Sequence, residues 1–282
     1  MTSTSTSDSF FGRHYFIHII MILLGVIAVV PIYLLLINAT RSTEQINLGL
    51  SLVPGGNAMF NWKTLTGRGF QIWQGFGNSA FLSISTTALS VYFSAMTAYG
   101  LHVYRFKGRT VLWTVILIII MLPATLSIIG FFQFVSRLKL RDSYIPLIIP
   151  SIASAGTVLF LRQYMMSALS TELIDAARIE GAGEYRIFNV IILPIIIPAL
   201  AAQSIFTFVG SWNNFITPFI LISSDKKYTL PMLVQSLRGN IYRAEYGAIY
   251  LGIAISLIPI MIFYAFMSRF IISGLTMGGL KE

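Results

Sequence analysis

Residues 15 to 38 read YFIHIIMILLGVIAVVPIYLLLIN, a stretch of apolar residues without a single charged side chain. A bilayer core about 30 Å thick takes roughly 20 such residues per helical crossing, so a run of this length is a membrane-spanning candidate. Five further stretches are long and largely apolar, two of them with a single arginine (Arg162 and Arg269), and the six together cover residues 15–38, 77–104, 111–135, 144–166, 190–222 and 247–270. Backbone groups in lipid must bond within their own segment unless a barrel closes, and these stretches lack the apolar/polar alternation of barrel strands. The expected fold is therefore all-α, a polytopic membrane protein with six transmembrane helices.

Composition agrees. The chain is 56% hydrophobic and 10% charged, against about 25% charged in a typical soluble domain. Its net charge of +9 would suggest nucleic acid in a soluble protein, but here the basic residues sit at the ends of apolar runs, where they meet lipid headgroups. Membrane lipid is the expected partner, and nucleic acid is not. The chain has no cysteine, which excludes disulfides and thiolate metal sites. His14, His18 and His102 are too scattered to suggest a metal cluster, and no metal site is expected. Residues 1–14, rich in Ser and Thr, form an expected leader. The run that follows is too long for a signal-peptide core, so it reads as a retained first helix.

The linkers are unequal. Segments two and three are joined by the short basic turn Tyr104-Arg105-Phe106-Lys107-Gly108-Arg109, whereas residues 39–76, 167–189 and 223–246 form longer connections. Lysines and arginines divide nearly evenly between the two faces implied by six crossings, so charge counting does not fix the orientation.

All ten acidic residues lie outside the six apolar cores. A proton-coupled transporter usually carries a titratable relay in the membrane interior, and apart from His18 and His102 near segment ends none is present. There is no H-E-x-x-H, no G-x-S-x-G and no P-loop sequence. The chain is not expected to be an enzyme, and the energy for active transport must come from another polypeptide. The alternative is a secondary transporter or channel acting without ATPase subunits, since sodium coupling through unwound carbonyls needs no carboxylate.

The 167–189 connector carries the most information. Ser170 or Thr171 can cap a short amphipathic helix, Glu172 and Asp175 suit its positive end, and Gly181 and Gly183 can stop it. Ala176 and Ala177 would let that helix lie close against a partner, flanked by Arg178 and Glu180. The stretch resembles the EAA loop of permease subunits of ABC importers, E-A-A-x3-G-x9-I-x-L-P, with Asp175, Ala176, Ala177, Gly181, Ile191, Leu193 and Pro194 in register. Asp175 stands where glutamate is usual. Other stretches resemble the MalG-like carbohydrate branch of that family: Tyr99 to Arg109, Phe160 to Tyr164, Trp212 to Pro218, Tyr228 to Pro231 and Ser273 to Lys281.

The resemblance implies a type I importer transmembrane domain spanning 15–282, with residues 170–183 as a coupling helix docked on an ATPase subunit. The ATPase-coupling residues would then be Glu172, Asp175, Ala176, Ala177, Arg178, Glu180 and Gly181. It implies two ATPase subunits that hold ATP and Mg, with no cofactor on this chain. It further implies a second, MalF-like permease, an extracytoplasmic solute-binding protein, and a plasma (inner) membrane location with both termini cytoplasmic. Sugars are held by aromatic faces and by hydroxyls and amides, which makes Gln203, Ser211, Trp212, Asn213, Asn214, Gln133, Tyr92 and Tyr99 the candidate substrate path. Lys226, Lys227, Arg238 and Arg243, in the 223–246 loop, are the candidate contacts for the solute-binding protein.

Overall fold

The computed structural model describes residues 7–67, 71–123, 127–152, 154–237 and 244–278, with side chains between 16 and 271 of these. Among the described residues the regular structure is helical throughout, as expected of backbone that must satisfy its own hydrogen bonds in lipid. The chain divides into two compact units, one of residues 1–70 with 234–255 and the other of residues 71–233 with 256–282.

In the first unit, α1 runs Ser7–Ala39 and is followed by α2 (Thr43–Asn47) and α3 (Ala58–Gly67). From Phe16 to Tyr33 the large apolar side chains of α1 are exposed, and a helix stretch apolar all round and exposed is one that faces lipid. Past Ala39 the chain is held by polar contacts. Buried Arg41 donates to Asn38 Oδ1 at 3.1 Å, to the Gly49 carbonyl at 3.0 Å and to the Gln45 carbonyl. Asn61 Nδ2 donates to the carbonyls of Ala39 and Arg41 at 2.8 and 3.0 Å. Ser42 and Gln45 form a capping box on α2, which satisfies two amide donors that would otherwise be free.

The second unit is built on α4 (Ile72–Val103). Ser79, Ser83, Thr86, Ser90, Ser94 and Ala98 follow one another at spacings of three or four, and all are buried. Small residues at this spacing let helices approach closely. Around α4 stand α5 (Arg109–Met121), α6 (Ile128–Arg137), α7 (Ile145–Ile148) with a 3-10 turn to Ser151, and α8 (Ala155–Ala168). The connector helix α9 (Thr171–Ile179) is followed by α10 (Glu184–Arg186), a π-helical stretch Ile187–Ile192, α11 (Leu193–Ile195), α12 (Ile197–Trp212) and α13 (Ile216–Leu221). The main packing partners of α4 are α8 and α12. The remaining helices are α14 (Leu230–Ser236) and α15 (Tyr246–Gly278).

Several expected boundaries are corrected. The third stretch, 111–135, is not one helix. Residue Leu122, with ψ at 130°, ends α5, because Pro123 disfavours helical backbone at the residue before it. The fifth stretch, 190–222, begins earlier, at Glu184, and its two arms, Glu184–Ile195 and Ile197–Trp212, meet at 81°. Pro194 and Pro198 flank the elbow; each lacks an amide proton, and each ring crowds the preceding turn. That stretch also stops at Trp212 before α13 begins. The second helix starts five residues ahead of its expected position, and Ser154, with extended backbone, separates α7 and its 3-10 turn from α8. Among the described residues, four spans are long and apolar enough to cross a membrane: Phe16–Ala39, Ile72–Val103, Ile145–Ala168 and Tyr246–Ile271. The bent pair makes a fifth if counted as one span.

Candidate functional site

Two places in the second unit combine polar chemistry with an opening: a cleft between α4, α8 and α12, and the surface around α9.

The cleft has a volume of about 460 Å³. Its polar lining comes from Thr86 and Ser90 on α4, Ser151, Ser154 and Thr157 around the start of α8, Gln203, Thr207 and Ser211 on α12, and Asn214 just beyond. Leu147, Phe206, Gly156 and Gly210 complete it, so the lining contains no charged side chain. Ser90 Oγ is buried without a hydrogen-bond partner. Helical serines usually return their hydroxyl to the preceding turn, and a buried hydroxyl left unpaired costs about 1–3 kcal/mol. The Ser90 hydroxyl thus lies unpaired just behind the surface of the cleft.

Of the expected path residues, Gln203, Ser211 and Asn214 line this cleft; the others do not. Trp212 is fully buried, donates from Nε1 to the Ser256 carbonyl at 3.0 Å and packs on Phe76 and Phe208. Its place at the end of α12 turns it into the helix packing rather than the cleft. Asn213, in the turn after α12, and Gln133, on α6, are exposed away from the lining. Tyr92 and Tyr99 face the connector instead. Tyr92 donates to Asn189 Oδ1 at 3.1 Å and Tyr99 to Glu184 Oε2 at 3.0 Å. The hydroxyl residues Thr86, Thr157 and Thr207 belong to the lining but gave no sequence signal beyond helix packing.

On the connector, Ser170 caps α9, its Oγ accepting the Glu172 amide at 3.2 Å. Gly181 ends the helix in the left-handed region, φ +81°. Gly183 has extended backbone and caps α10 instead of stopping α9. Ile174 and Ala177 turn inward onto a core that includes Ala98, Tyr99, Leu101, Leu161, Met165 and Phe188. Ala177 is thus spent inside the protein, and Ala176 remains on the outer face beside exposed Glu172, Asp175, Ile179 and Glu180. Arg178 is half-buried, donating to Asp175 Oδ1 at 3.0 Å and to Glu184 Oε1 at 2.7 Å. The Glu184 carboxylate holds that guanidinium well above its usual range. Beside the helix a recess of about 310 Å³ is lined by Ala177, Glu180, Gly181, Ala182, Arg186, Val190 and Ile191.

Among the expected binding-protein contacts, Lys226 is exposed. Lys227 is not free: its Nζ reaches Asp142 Oδ2 at 3.1 Å and the Asp142 carbonyl. Asn78 donates to the carbonyls of Lys226 and Tyr228, both at 2.9 Å, and so fastens this loop to α4. Arg238 and Arg243 lie outside the described residues.

Residues 90–276 match the family described as "Binding-protein-dependent transport system inner membrane component". The chain is 38% identical over 258 residues to the arabinooligosaccharides transport system permease protein AraQ of Halalkalibacterium halodurans, covering 90% of this chain and 92% of that one. It is 30% identical to the lactose transport system permease protein LacG of Rhizobium radiobacter, with 93% and 94% covered. It is 29% identical to the sn-glycerol-3-phosphate transport system permease protein UgpE of Salmonella typhimurium, with 94% and 96% covered. In fold it resembles a chain from the crystal structure of a bacterial ABC transporter involved in the import of the acidic polysaccharide alginate. The TM-score is 0.75 at 22% identity, with 95% of this chain and 99% of that one covered.

Proposed function

From the premise that the chain belongs to the family of binding-protein-dependent transport system inner membrane components, we propose that it carries a neutral sugar or oligosaccharide through the cleft between α4, α8 and α12. The chain is a multi-pass inner-membrane permease subunit of an ATP-driven importer, not itself an enzyme. It works with an ATPase and a solute-binding protein.

The observation that carries the substrate reading is the uncharged hydroxyl and amide lining of the cleft. A sugar presents hydroxyl edges that such groups can pair, and the Phe206 ring offers a face for its CH surface. An anionic solute taken out of water needs a positive partner, and this lining supplies none. Arabino-oligosaccharide and lactose, named for two relatives, fit that chemistry better than a phosphate ester or an acidic polysaccharide.

In this reading α9 docks on an ATPase subunit through Glu172, Asp175, Ala176 and Glu180, and Gly181 gives the close turn behind it. Two ATPase subunits hold ATP and Mg, and a distinct MalF-like permease forms the other half of the pathway. The connector is cytoplasmic, as are both termini, and the loop bearing Lys226 meets the solute-binding protein. ATP-driven closure of the ATPases moves α9 and alternates the exposure of the cleft between the two sides.

Uptake into proteoliposomes by the assembled transporter tests this. ATP-dependent accumulation of a neutral oligosaccharide is expected, and Thr207→Asp in the lining should lower it by about tenfold or more, since tenfold is only about 1.4 kcal/mol and a charge buried there costs more. Equal uptake with the ATPase subunits omitted, or preference for a sugar phosphate over the free sugar, would overturn the reading.

A further inference from the structure

Three basic side chains from three helices converge where α4 ends and α5 begins. Arg162, on α8, lays its guanidinium over the Trp113 ring of α5, 4.1 Å from the centroid, and its Nε is buried without a hydrogen-bond partner. His102, in the last turn of α4, has a buried and equally unpartnered Nε2. Arg109 and Arg162 lie close enough to act electrostatically on each other and on His102. None of the ion pairs among the described residues involves Arg109 or Arg162.

Arg109 opens α5, a helix of 13 residues capped by Gly108 at φ +91°, which brings no side chain to its first-turn amides. Those amides and the helix dipole add positive potential at the same place. The stretches Tyr99 to Arg109 and Phe160 to Tyr164, far apart in sequence, meet here.

Uncompensated positive charge is costly, and an anion with several acceptor oxygens relieves it. The surroundings indicate how it arrives. Phe106, Val111, Leu112 and Val115 are exposed apolar side chains on the turn and along α5, offering an acyl chain a course down the helix from the basic cluster. We propose that His102, Arg109 and Arg162, with the N-terminus of α5, form a binding site for the phosphodiester headgroup of an anionic phospholipid. The positive groups hold the phosphate, and the exposed face of α5 holds the chains. A zwitterionic lipid carries the same phosphate but brings a cation into an already positive site, so the site selects for net negative headgroups.

Native mass spectrometry of the purified transporter in equal amounts of phosphatidylglycerol and phosphatidylcholine tests the site. The wild type should retain phosphatidylglycerol with a preference of about tenfold or more. The preference should fall towards unity in the Arg109→Gln/Arg162→Gln variant. An undiminished preference in that variant would overturn the proposal. Displacement of the lipid by millimolar inorganic phosphate would also overturn it, assigning the cluster to a free ion instead. Should the double variant fail to assemble, a photoactivatable phosphatidylglycerol analogue on the wild-type complex decides. Labelling of residues 102–115 and 158–165 supports the site, and labelling confined elsewhere removes it.

Discussion

Arg178 Nε donates to Glu184 Oε1 at 2.7 Å, and the other oxygen of that carboxylate accepts from the Tyr99 hydroxyl at 3.0 Å. One carboxylate thus joins the connector helix α9 to α4, the helix that supplies Thr86 and Ser90 to the cleft. Asp175, bonded to the same guanidinium, extends the chain of contacts to the outer face of α9.

Tyr99→Phe removes one bond from this chain and leaves the ring in its apolar surroundings. Because Glu184 is partly exposed, the bond contributes about 1 kcal/mol at most. Sugar uptake should fall by up to roughly fivefold, since 1.4 kcal/mol is tenfold, while the ATPase activity of the complex stays intact. Arg178→Ala should uncouple more strongly. Equal losses of uptake and ATP hydrolysis in Tyr99→Phe would argue against a linking role.

Gly181 ends α9 at φ +81° with open space where a Cβ would stand, so a substitution there is opposed by backbone strain rather than by a clash. Gly181→Ala should cost about 1–2 kcal/mol, and Gly181→Asn less, because asparagine tolerates that region. Hydrogen exchange over residues 176–186 should rank the three proteins Gly, Asn, Ala in order of increasing exchange.

Gly247, at the start of α15, lies where a Cβ would meet the Arg41 carbonyl and come within 2.5–2.6 Å of the Asn61 amide. Backbone cannot yield as a side chain can, so Gly247→Ala should destabilise by about 1–3 kcal/mol. The expected readout is a lower melting temperature in detergent, whereas Gly25→Ala, inside α1 with open space around it, should not lower it.

Asp142 accepts from the Ser224 hydroxyl at 2.6 Å, from the amides of Ser224 and Ser223 at 2.9 and 3.0 Å, and from Lys227 Nζ at 3.1 Å. These donors, the Ser224 hydroxyl foremost, hold its carboxyl well below the usual carboxylate range. A lowered value in the folded state means stability that is fully present above the unfolded value, about 3.9, and lost as pH falls through the folded one. Asp142→Asn keeps the left-handed backbone that this position adopts, φ 55°, and removes the charge. The variant should melt below the wild type by a constant margin from pH 7 to about 5, and the two should converge as acid protonates Asp142.

The helical class, the membrane setting and the connector helix were legible because each leaves a periodic or motif-level mark. Apolar runs give spans, and Ser170, Glu172 and Gly181 give a helix with a start and a stop. The cleft was half legible. Gln203, Ser211 and Asn214 stood out as amides and hydroxyls among apolar neighbours, but Trp212 stood out equally and proved to be packing, because residue type does not reveal which way a helix is turned. Tyr99 was misplaced for the same reason. Thr86 and Ser90 looked like ordinary small packing residues, and only the position of α12 opposite them leaves a gap. The break after α5 follows from Pro123, a mark the apolar run outweighed in the sequence reading. The pairing of Arg178 with Glu184 crosses a turn whose geometry depends on Gly181, and spacing alone does not define it.

The elbow at Ile196 has a mechanical sense. Two stiff rods set at 81° act as a bell crank: a thrust along the rod that begins at Glu184 emerges at the other as a sideways sweep. Gln203 and Ser211 ride on that second rod, about two and about four turns along it, so a small push at the connector becomes a larger displacement at Ser211 than at Gln203, as the far end of a lever travels farther than its middle.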